Sequence, residues 1–270
     1  MSEQLTAAQR VKIARGQGRP GTLEFVENLF TDVFVCQGDR LSREDPSIFG
    51  AIARFHGKPV TVIGHCKGHN LEERMRCNFG MPSPEGYRKE QRLLRQAEKF
   101  GRPVITFVDT PGAYPGLEAE AGGQGEAIAR SLALMSSLTV PVITVVIGEG
   151  GSGGALALAV GNRVIMLENA VYSVLSPEGF ASVLWKDANR ADEAAGVMKL
   201  TAADLLKLGV ADQVIPEPDG GAQSDPKPVY EAVDKAISRS LSQLSRERDL
   251  AAHRYQKFRA MGVVREESVT

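Results

Sequence analysis

A run of β-branched residues leads directly into a glycine-rich turn and an apolar segment between residues 142 and 159. Val142–Ile147 reads Val-Ile-Thr-Val-Val-Ile, the composition of a strand that is buried on both faces. Gly148–Gly154 follows with five glycines in seven residues, and Ala155–Ala159 is apolar enough to continue as a helix. Because glycine allows close approach and the first turn of a helix leaves its N–H groups unpaired, this unit predicts a backbone site for negative charge.

A second strand–turn–helix unit lies just before the first. Val104–Val108 predicts a strand, Asp109–Gly116 (Asp-Thr-Pro-Gly-Ala-Tyr-Pro-Gly) predicts a turn, and residues from about 123 to 138 predict a helix. Strands that alternate with helices indicate the α/β class. The turns of two such units can direct backbone N–H groups at one point, which is what an oxyanion or enolate site requires.

The rest of the chain predicts further elements around these two units. Before the two units we expect a polar arm over 1–20, a helix from Thr22 to Val33, a strand pair at 51–55 and 60–64, an irregular loop over 65–86 and a helix over 85–100. In the first of these helices Thr22 is the expected N-cap and Leu23 and Val33 are expected to be buried, and in the second Lys89 is expected among the outward basic residues. After the two units we expect strands at 163–167 and 170–175, a helix after Pro177, a helix over 202–208 capped by Thr201, a strand at 210–215 and a charged terminal helix over about 229–260.

Composition excludes several classes of function. With 270 residues and 43% hydrophobic content the chain can bury a large core, and its net charge of -1 gives no sign of nucleic-acid or membrane binding. The three cysteines have no C-x-x-C spacing, which favours a reducing compartment and argues against a zinc site. The sequence shows neither a signal-peptide pattern nor an apolar run of about 20 residues. We therefore expect a cytoplasmic protein with no membrane span.

Charge is uneven along the chain. Between Lys67 and Arg102 there are nine Lys or Arg residues against five acids. Such an excess suits an anionic ligand, and it equally suits a solvated helix face. Lys67, Arg74, Arg76 and Arg88 are candidates for contacts with phosphates or partners.

The glycine turn also fits a dinucleotide-binding pattern. Gly148-x-Gly150-x-x-Gly153 follows a strand, and Glu168 lies twenty residues beyond the first glycine, where a ribose would be held. The helix after the turn is short, however, and too little parallel sheet follows to complete a second nucleotide-binding half.

A third pattern in the same turn is that of a nucleophile. Gly150-x-Ser152-x-Gly154 has the spacing of a nucleophile elbow, but a triad needs an acid and a histidine downstream, and His253 in a charged helix is the only histidine there. Backbone donors from both turns need no histidine, serine or metal, so the residues favour that interpretation. That the glycines serve only tight packing remains the alternative.

Longer and more irregular strings of sequence carry a family resemblance. They include Asp109–Gly116, Gly148–Ala155, Asn78–Pro82, Pro84–Lys89 and Ser176–Gly179. With them the chain resembles, over nearly its whole length, the α subunit of the carboxyltransferase component of bacterial acetyl-CoA carboxylase, in its short form. One departure is Glu120–Gln124, which reads Glu-Ala-Gly-Gly-Gln where the family usually has Glu-Glu-Arg-Gly-Gln.

The resemblance implies a crotonase-like (ClpP/crotonase) α/β fold, a spiral of ββα units with helical N- and C-terminal extensions. It divides the chain into an N-terminal arm (1–20), a carboxyltransferase domain (21–228) and a C-terminal helical extension (229–270). The implied reaction moves a carboxyl group from carboxybiotin to acetyl-CoA and forms malonyl-CoA for fatty acid biosynthesis. The alternatives are a crotonase-type acyl-CoA hydratase or isomerase with Glu149 as its acid, transfer to another acyl-CoA such as propionyl-CoA, and a non-catalytic scaffold.

The resemblance also implies partners and site residues. The cofactor is biotin on the biotin carboxyl carrier protein, with no metal in this chain. The partners are a β subunit carrying a zinc ribbon, in an α2β2 heterotetramer, and biotin carboxylase in the wider complex. The backbone N–H groups of Gly153 and Gly154 are implied as an oxyanion hole for the ureido oxygen of biotin. The implied substrate pocket comprises Gly112, Ala113, Tyr114, Gly150 and Gly151.

Overall fold

The computed structural model describes residues 5–262, which form one mixed sheet of eight strands with helices on both faces. The strand order is β1-β2-β3-β4-β5-β6-β8, and β7 also pairs with β5. The first two pairings are antiparallel, and all pairings from β3 to β8 are parallel. The strands are β1 (Thr31–Val35), β2 (Ile48–Phe55), β3 (Lys58–His65), β4 (Val104–Thr110), β5 (Val142–Gly151), β6 (Arg163–Leu167), β7 (Val171–Ser173) and β8 (Gln213–Ile215).

Helices cover the two faces of the sheet and follow most of its strands. α4 packs against α6 on one side, while α2 and α11 pack against each other on the other. The helices are α1 (Ala7–Ala14), α2 (Thr22–Leu29), α3 (Leu71–Arg76), α4 (Pro84–Lys99), α5 (Leu117–Ala121), α6 (Gln124–Ser137), α7 (Ser152–Leu156), α8 (Pro177–Trp185), α9 (Ala191–Val197), α10 (Ala202–Lys207), α11 (Pro226–Leu244) and α12 (Leu250–Arg259).

The strand at the centre of the sheet is β5, and all ten of its residues are buried. It pairs with β4 through an unbroken run from Val104 and Val142 to Val108 and Val146. Parallel strands covered on both faces need apolar side chains on both, which explains the continuous β-branched run of the sequence. Because β4 and β5 are adjacent and parallel, both glycine turns lie at the same edge of the sheet.

The N-terminal elements differ from the expectation. The helix expected to reach Val33 ends at Leu29, and Thr31–Val35 forms the edge strand β1 instead. Leu23 and Val33 are exposed rather than buried, and Phe34 is 69% exposed. The loop expected over 65–86 contains the short helix α3, whose cap is an unforeseen Asn70.

Two polar side chains lie elsewhere than the pattern indicated. Thr22 is not the helix cap, because its hydroxyl donates to the carbonyl of His65 at 2.5 Å from the first position inside α2. Lys89 was expected on the outward face of its helix, but it is 1% exposed. Its ammonium forms an ion pair with Glu44 and donates to the carbonyl of Asp45 at 2.9 Å. A buried cation of this kind is tolerated because it is paired.

The chain ends are more closely packed than an arm or a free helix. α1 lies within the segment expected as a polar arm, and it buries Val11 and Ala14 against α9. The single helix expected over about 229–260 is two helices with a break at 245–249. In α12, Arg254 is 1% exposed and donates to the carbonyl of Leu138 at 2.9 Å and to Oδ1 of Asn162 at 2.6 Å.

Candidate active site

The two glycine turns meet at the carboxyl edge of the sheet, main chain against main chain. Thr110 is in register with Gly150. A Cβ on Gly151 would overlap the carbonyl group of Pro111. A Cβ on Gly154 would lie only 2.6 Å from the amide nitrogen of Ala113. Since no side chain fits between the turns, glycine is required at both positions, and the prediction that the turns converge is confirmed.

Hydrogen bonding leaves particular N–H groups free at this junction. In the β4 turn, the N–H of Gly112 donates to the hydroxyl of Thr110 at 3.0 Å and the N–H of Tyr114 donates to the carbonyl of Pro82 at 3.0 Å. Between them, the N–H of Ala113 has no acceptor among the residues that the structure describes. The sequence interpretation gave Ala113 only a role in pocket shape, because one free amide between two bonded ones leaves no trace in sequence.

The β5 turn supplies the second set of donors. Gly153 and Gly154 lie in the first turn of α7, where N–H groups have no carbonyl of their own helix to bond. Gly153 is partly exposed, and the nearest atom to a Cβ placed on it is a methyl of Ile128 at 3.6 Å. The donors therefore border open space on the Gly153 side. Together with Ala113, they can hold a negatively charged oxygen without any side chain.

The remaining residues of the expected pocket are arranged around the turns. Tyr114 is half-buried, and its carbonyl accepts from the side chain of Gln124 at 2.9 Å, which ties the β4 turn to the start of α6. Gly150 packs against the ring of Tyr172, 2.8 Å from where its Cβ would be. Gly150 thus lies below the junction and supports it, whereas Gly112 and Ala113 lie at the junction itself.

Charged side chains brace the base of the junction. Oδ1 of Asp109 accepts the N–H of Glu149 at 2.9 Å and the ammonium of Lys67 at 2.6 Å. A Cβ on Gly148 would overlap that carboxylate, so glycine is needed there as well. Lys67, one of the candidate phosphate ligands, is therefore already engaged in an internal ion pair.

Glu149 is the carboxylate that the hydratase alternative would use at this turn, and two cations hold it. The Nε and Nη2 atoms of Arg15 lie 2.9 and 2.6 Å from its Oε1, and the ammonium of Lys67 lies 3.9 Å from Oε2. Arg15 also bonds Glu178 at 2.7 Å, and this hydrogen bond lowers the pKa of that carboxyl. A carboxylate fixed in this way by an arginine fork is a structural tie and a poor proton shuttle.

His65 was expected in a loop but ends β3 beneath the junction, with 1% of its surface exposed. Its Nδ1 accepts the N–H of Asp109 at 3.4 Å, and its Nε2 has no partner among residues 5–262. Burial lowers the pKa of His65 to about 4. The imidazole is therefore neutral at pH 7, and with Nδ1 accepting, Nε2 carries the proton.

The two alternative patterns in the turn lack their companion residues. Ser152 is exposed with a φ of 51°, a strained backbone that resembles a nucleophile elbow. However, Nδ1 of His253 lies 3.2 Å from Nδ2 of Asn162. Asn162 immediately precedes β6, so His253 is at the opposite edge of the sheet from the turn. Glu168 forms an ion pair with Arg10 at 3.4 Å and accepts the N–H of Glu217 at 3.1 Å. Within the described part of the chain, these side chains assemble neither a triad nor a ribose contact.

Fold and site together define a class of protein. Strand–turn–helix units wound into a spiral, with backbone donors where two turns meet, are the architecture of the crotonase-like fold. The family model "Acetyl co-enzyme A carboxylase carboxyltransferase-like" matches residues 1–262. The chain therefore belongs to the acetyl-coenzyme A carboxylase carboxyltransferase family.

Relatives of this chain are similar to it in sequence over nearly its whole length. The acetyl-coenzyme A carboxylase carboxyl transferase subunit alpha of Anoxybacillus flavithermus is 56% identical over 260 residues, which is 96% of this chain and 80% of the relative. The subunit of the same name from Clostridium acetobutylicum is 56% identical over 263 residues, covering 97% of this chain and 96% of the relative. These relatives support the carboxyltransferase interpretation over the hydratase and scaffold alternatives.

Solved structures share the fold at lower sequence identity. Transcarboxylase 12S, with methylmalonyl-coenzyme A and methylmalonic acid bound, has a TM-score of 0.70 and 20% identity, and the match covers 86% of this chain and 43% of that one. The Pseudomonas malonate decarboxylase hetero-dimer has a TM-score of 0.62 and 21% identity, covering 80% and 89%. Both confirm the predicted crotonase-like fold.

Residues 5–262 lack two further features. No helix in this part of the chain is both long and apolar enough to cross a membrane. No cluster of three or more His, Cys, Asp or Glu side chains in the same residues has the arrangement of a metal site.

Proposed function

We propose that this chain is the α subunit of an acetyl-CoA carboxylase carboxyltransferase. In this role it contributes one part of a site in which a carboxyl group passes from carboxybiotin to acetyl-CoA and malonyl-CoA forms. The observation that supports the proposal most directly is the junction of the two turns, where Ala113, Gly153 and Gly154 offer backbone N–H groups in a family of carboxyltransferases.

The junction fits the ureido group of biotin. That group is flat and has one carbonyl oxygen, so it needs hydrogen-bond donors and a space that no side chain occupies. The free N–H of Ala113 and the absence of a Cβ at Gly153 supply both. Carboxybiotin, when bound, would supply a carboxyl group on a ring nitrogen that can be released to an acceptor. The residues we propose to hold it are Gly112, Ala113, Tyr114, Gly151, Gly153 and Gly154, with Gly150 as their support.

This chain contributes stabilisation of charge, and no proton transfer by a side chain is required of it. The N–H groups of Gly153 and Gly154 would stabilise negative charge on the ureido oxygen of a bound carboxybiotin by roughly 3 kcal/mol each. Because the two turns are packed together, the donors need little reorganisation during the reaction. The neutral His65 and the braced Asp109 lie behind the turns and hold them in place.

The proposal includes partners. We propose that a β subunit with a zinc ribbon completes the active site and holds the acetyl-CoA enolate, in an α2β2 heterotetramer. A biotin carboxyl carrier protein would deliver the cofactor, with biotin carboxylase in the wider complex. Fatty acid biosynthesis in the cytoplasm is the corresponding cellular setting. The subunit name shared by the relatives supports the need for a second subunit.

Malonyl-CoA formation from acetyl-CoA and carboxybiotin tests the proposal. We expect turnover when this chain is combined with its β subunit and none with either chain alone. Propionyl-CoA in place of acetyl-CoA measures the choice of acceptor. Hydration or isomerisation of an enoyl-CoA by the isolated chain would overturn the proposal in favour of the crotonase-type alternative.

A further inference from the structure

A groove lined by arginines lies on the outer side of α4, away from the junction of the turns. Its volume is about 570 Å³, and five of its eleven lining residues are arginines. Two acids, Asp39 and Glu126, also line it, so the groove carries an excess of three positive charges. The arginines, named here together as the arginine groove, are Arg40, Arg88, Arg92, Arg95 and Arg130.

Helix geometry brings these charges together. Arg88, Arg92 and Arg95 stand at positions i, i+4 and i+7 of α4, so they share one face of the helix. Arg130 reaches the groove from α6 and Arg40 from the loop before β2. Like charges spaced in this way destabilise a helix slightly, so the arrangement has a cost that a bound anion would remove.

Hydrogen bonds to main-chain carbonyls hold two of the arginines in the groove. Arg88 donates to the carbonyl of Gly122 and lies 3.6 Å from the carboxylate of Asp39, while Arg92 donates to the carbonyl of Gly38 at 3.0 Å. Arg130 forms an ion pair with Glu126 at 2.7 Å. Arg40 and Arg95 are exposed, and neither has an ion-pair or hydrogen-bond partner among residues 5–262. Two oriented guanidinium groups, one that is paired with Glu126 and two uncommitted ones therefore surround one recess.

The start of α6 adds polarity of the same sign. This helix has fourteen residues, and its N-cap Gly123 lines the groove without a side chain to bond the first N–H groups. An anion in the groove would face those donors and the positive end of the helix dipole. This contribution supplements the guanidinium groups, which supply most of the charge.

We propose that the arginine groove binds a small molecule with two linked phosphate groups. Guanidinium groups suit phosphate because their N–H groups form a fork that matches two oxygens, and no lysine lines the groove. Arg40, Arg92 and Arg95 have no carboxylate partner among residues 5–262, and a diphosphate offers oxygens at two positions for their guanidinium groups. A recess of this volume accommodates a nucleotide-sized ligand, and a flat acidic protein surface would not reach its floor. The site is separate from the turns and does not depend on the proposed reaction.

Titration of inorganic pyrophosphate into the full chain tests the proposal. Binding is measured by calorimetry at constant ionic strength without divalent metal, with orthophosphate and polyglutamate as competing probes. We expect saturable binding of pyrophosphate that is tighter than that of orthophosphate. The double variant Arg40→Gln with Arg95→Gln should bind roughly 10- to 100-fold more weakly, since each lost bond joins two charged groups.

A matched control separates a built site from general charge attraction. Arg246 and Arg248 are exposed near the end of α11, so Arg246→Gln with Arg248→Gln removes the same charge elsewhere. This control should bind pyrophosphate as the wild type does. Equal weakening in both double variants, or no saturable binding in the wild type, would overturn the proposal. Binding of polyglutamate without binding of pyrophosphate would also overturn it and indicate an acidic protein partner. Circular dichroism of each variant verifies that the overall helical content is unchanged.

Discussion

The carboxylate of Asp109 accepts the backbone N–H of Glu149 at 2.9 Å, across the ends of the two central strands. Asp109 is near the end of β4, and Glu149 precedes the glycines that end β5. The hydrogen bond therefore ties one turn to the other near the carboxyl end of each strand. The same oxygen binds the ammonium of Lys67, which places the negative charge of Asp109 in a fixed position.

The first prediction concerns the carboxylate of Asp109. Asp109→Asn keeps an acceptor for the N–H of Glu149 but removes the charge that pairs with Lys67. Because that ion pair is largely buried, we expect a loss of about 1–3 kcal/mol in the free energy of unfolding, measured by urea denaturation, with reduced carboxyl transfer. The exposed pair of Lys12 and Asp192 is the control, and Asp192→Asn should cost under about 0.5 kcal/mol. Equal losses in the two variants would contradict the assigned role of Asp109.

The second prediction compares two neighbouring glycines. Gly153→Ala places a methyl group 3.6 Å from Ile128 and leaves the fold intact, but the methyl borders the donors. Gly154→Ala forces a methyl against the main chain at Ala113 and Gly112, so the turns must separate. We expect the free energy of unfolding to stay within about 0.5 kcal/mol of the wild type for Gly153→Ala and to fall by more than about 2 kcal/mol for Gly154→Ala. Turnover should be reduced in both variants. Full activity of Gly153→Ala would argue against an oxyanion role for this turn.

The third prediction addresses Ser152, whose backbone is left-handed with a φ of 51°. A non-glycine residue in this region is strained by about 1 kcal/mol, so Ser152→Gly should raise the free energy of unfolding by up to that amount. Ser152→Ala keeps the strain and removes the hydroxyl, and we expect it to change turnover less than threefold. Loss of activity in the alanine variant, with the glycine variant equally inactive, would restore the nucleophile hypothesis.

The fourth prediction follows from a carboxyl group that has no cation beside it. Glu90 is completely buried, and burial raises its pKa well above the usual value although Ser131 donates to it at 2.8 Å. The folded form thus keeps its proton at pH values where the unfolded chain has lost it. Stability from this group is present in full below the unfolded pKa and decreases as pH rises, by about 1.4 kcal/mol per unit until the folded pKa is passed. Glu90→Gln should remove this slope, as chemical denaturation between pH 5 and pH 8 would reveal. An identical slope in wild type and variant would contradict it.

The fifth prediction has the opposite sign with pH. The pKa of His65 is lowered from 6.5 to about 4. Between these two pH values the imidazole is therefore protonated in the unfolded chain and neutral in the folded chain. Stability therefore decreases as pH falls from about 6.5 to about 4, by up to about 3 kcal/mol. His65→Asn, which retains an acceptor near the position of Nδ1, should flatten this part of the stability curve. Unaltered acid sensitivity in the variant would assign the effect to other groups.

The elements that sequence predicted best are those whose residues are buried on every side. β4 and β5 carry unbroken apolar runs. The helix α8 is mostly exposed, and its start was predicted instead from Pro177 at its first position. β1 could not be recognised, because all five of its residues are exposed and Val33 falls at a helical spacing from Leu29. Its pairing with β2 is a tertiary contact that local periodicity does not encode.

Side-chain partners were harder to foresee than elements. Lys89 has the sequence context of a solvated helix face. Its ammonium nevertheless forms an ion pair with Glu44 and a hydrogen bond to the carbonyl of Asp45, in a loop that is distant in sequence. The break between α11 and α12 contains no glycine or proline, and its signal in the sequence is Asp249, which caps α12 by accepting the N–H of Ala252 at 2.8 Å. The sequence predicts an anion site at the glycine turn, but the free N–H of Ala113 depends on which neighbours Gly112 and Tyr114 bond, and only the three-dimensional structure reveals that.

The contact of main chain with main chain at Gly151 and Gly154 has a consequence for how such a protein can diversify. The spacing between the donors contains no rotatable side-chain bond, so substitutions elsewhere can reshape the surroundings of the anion without altering that spacing. The peptide backbone therefore sets the distance between the two turns. In the proposed function, changes in the choice of reactants must arise from residues outside the turns, and these can vary while the proposed stabilisation of charge stays the same.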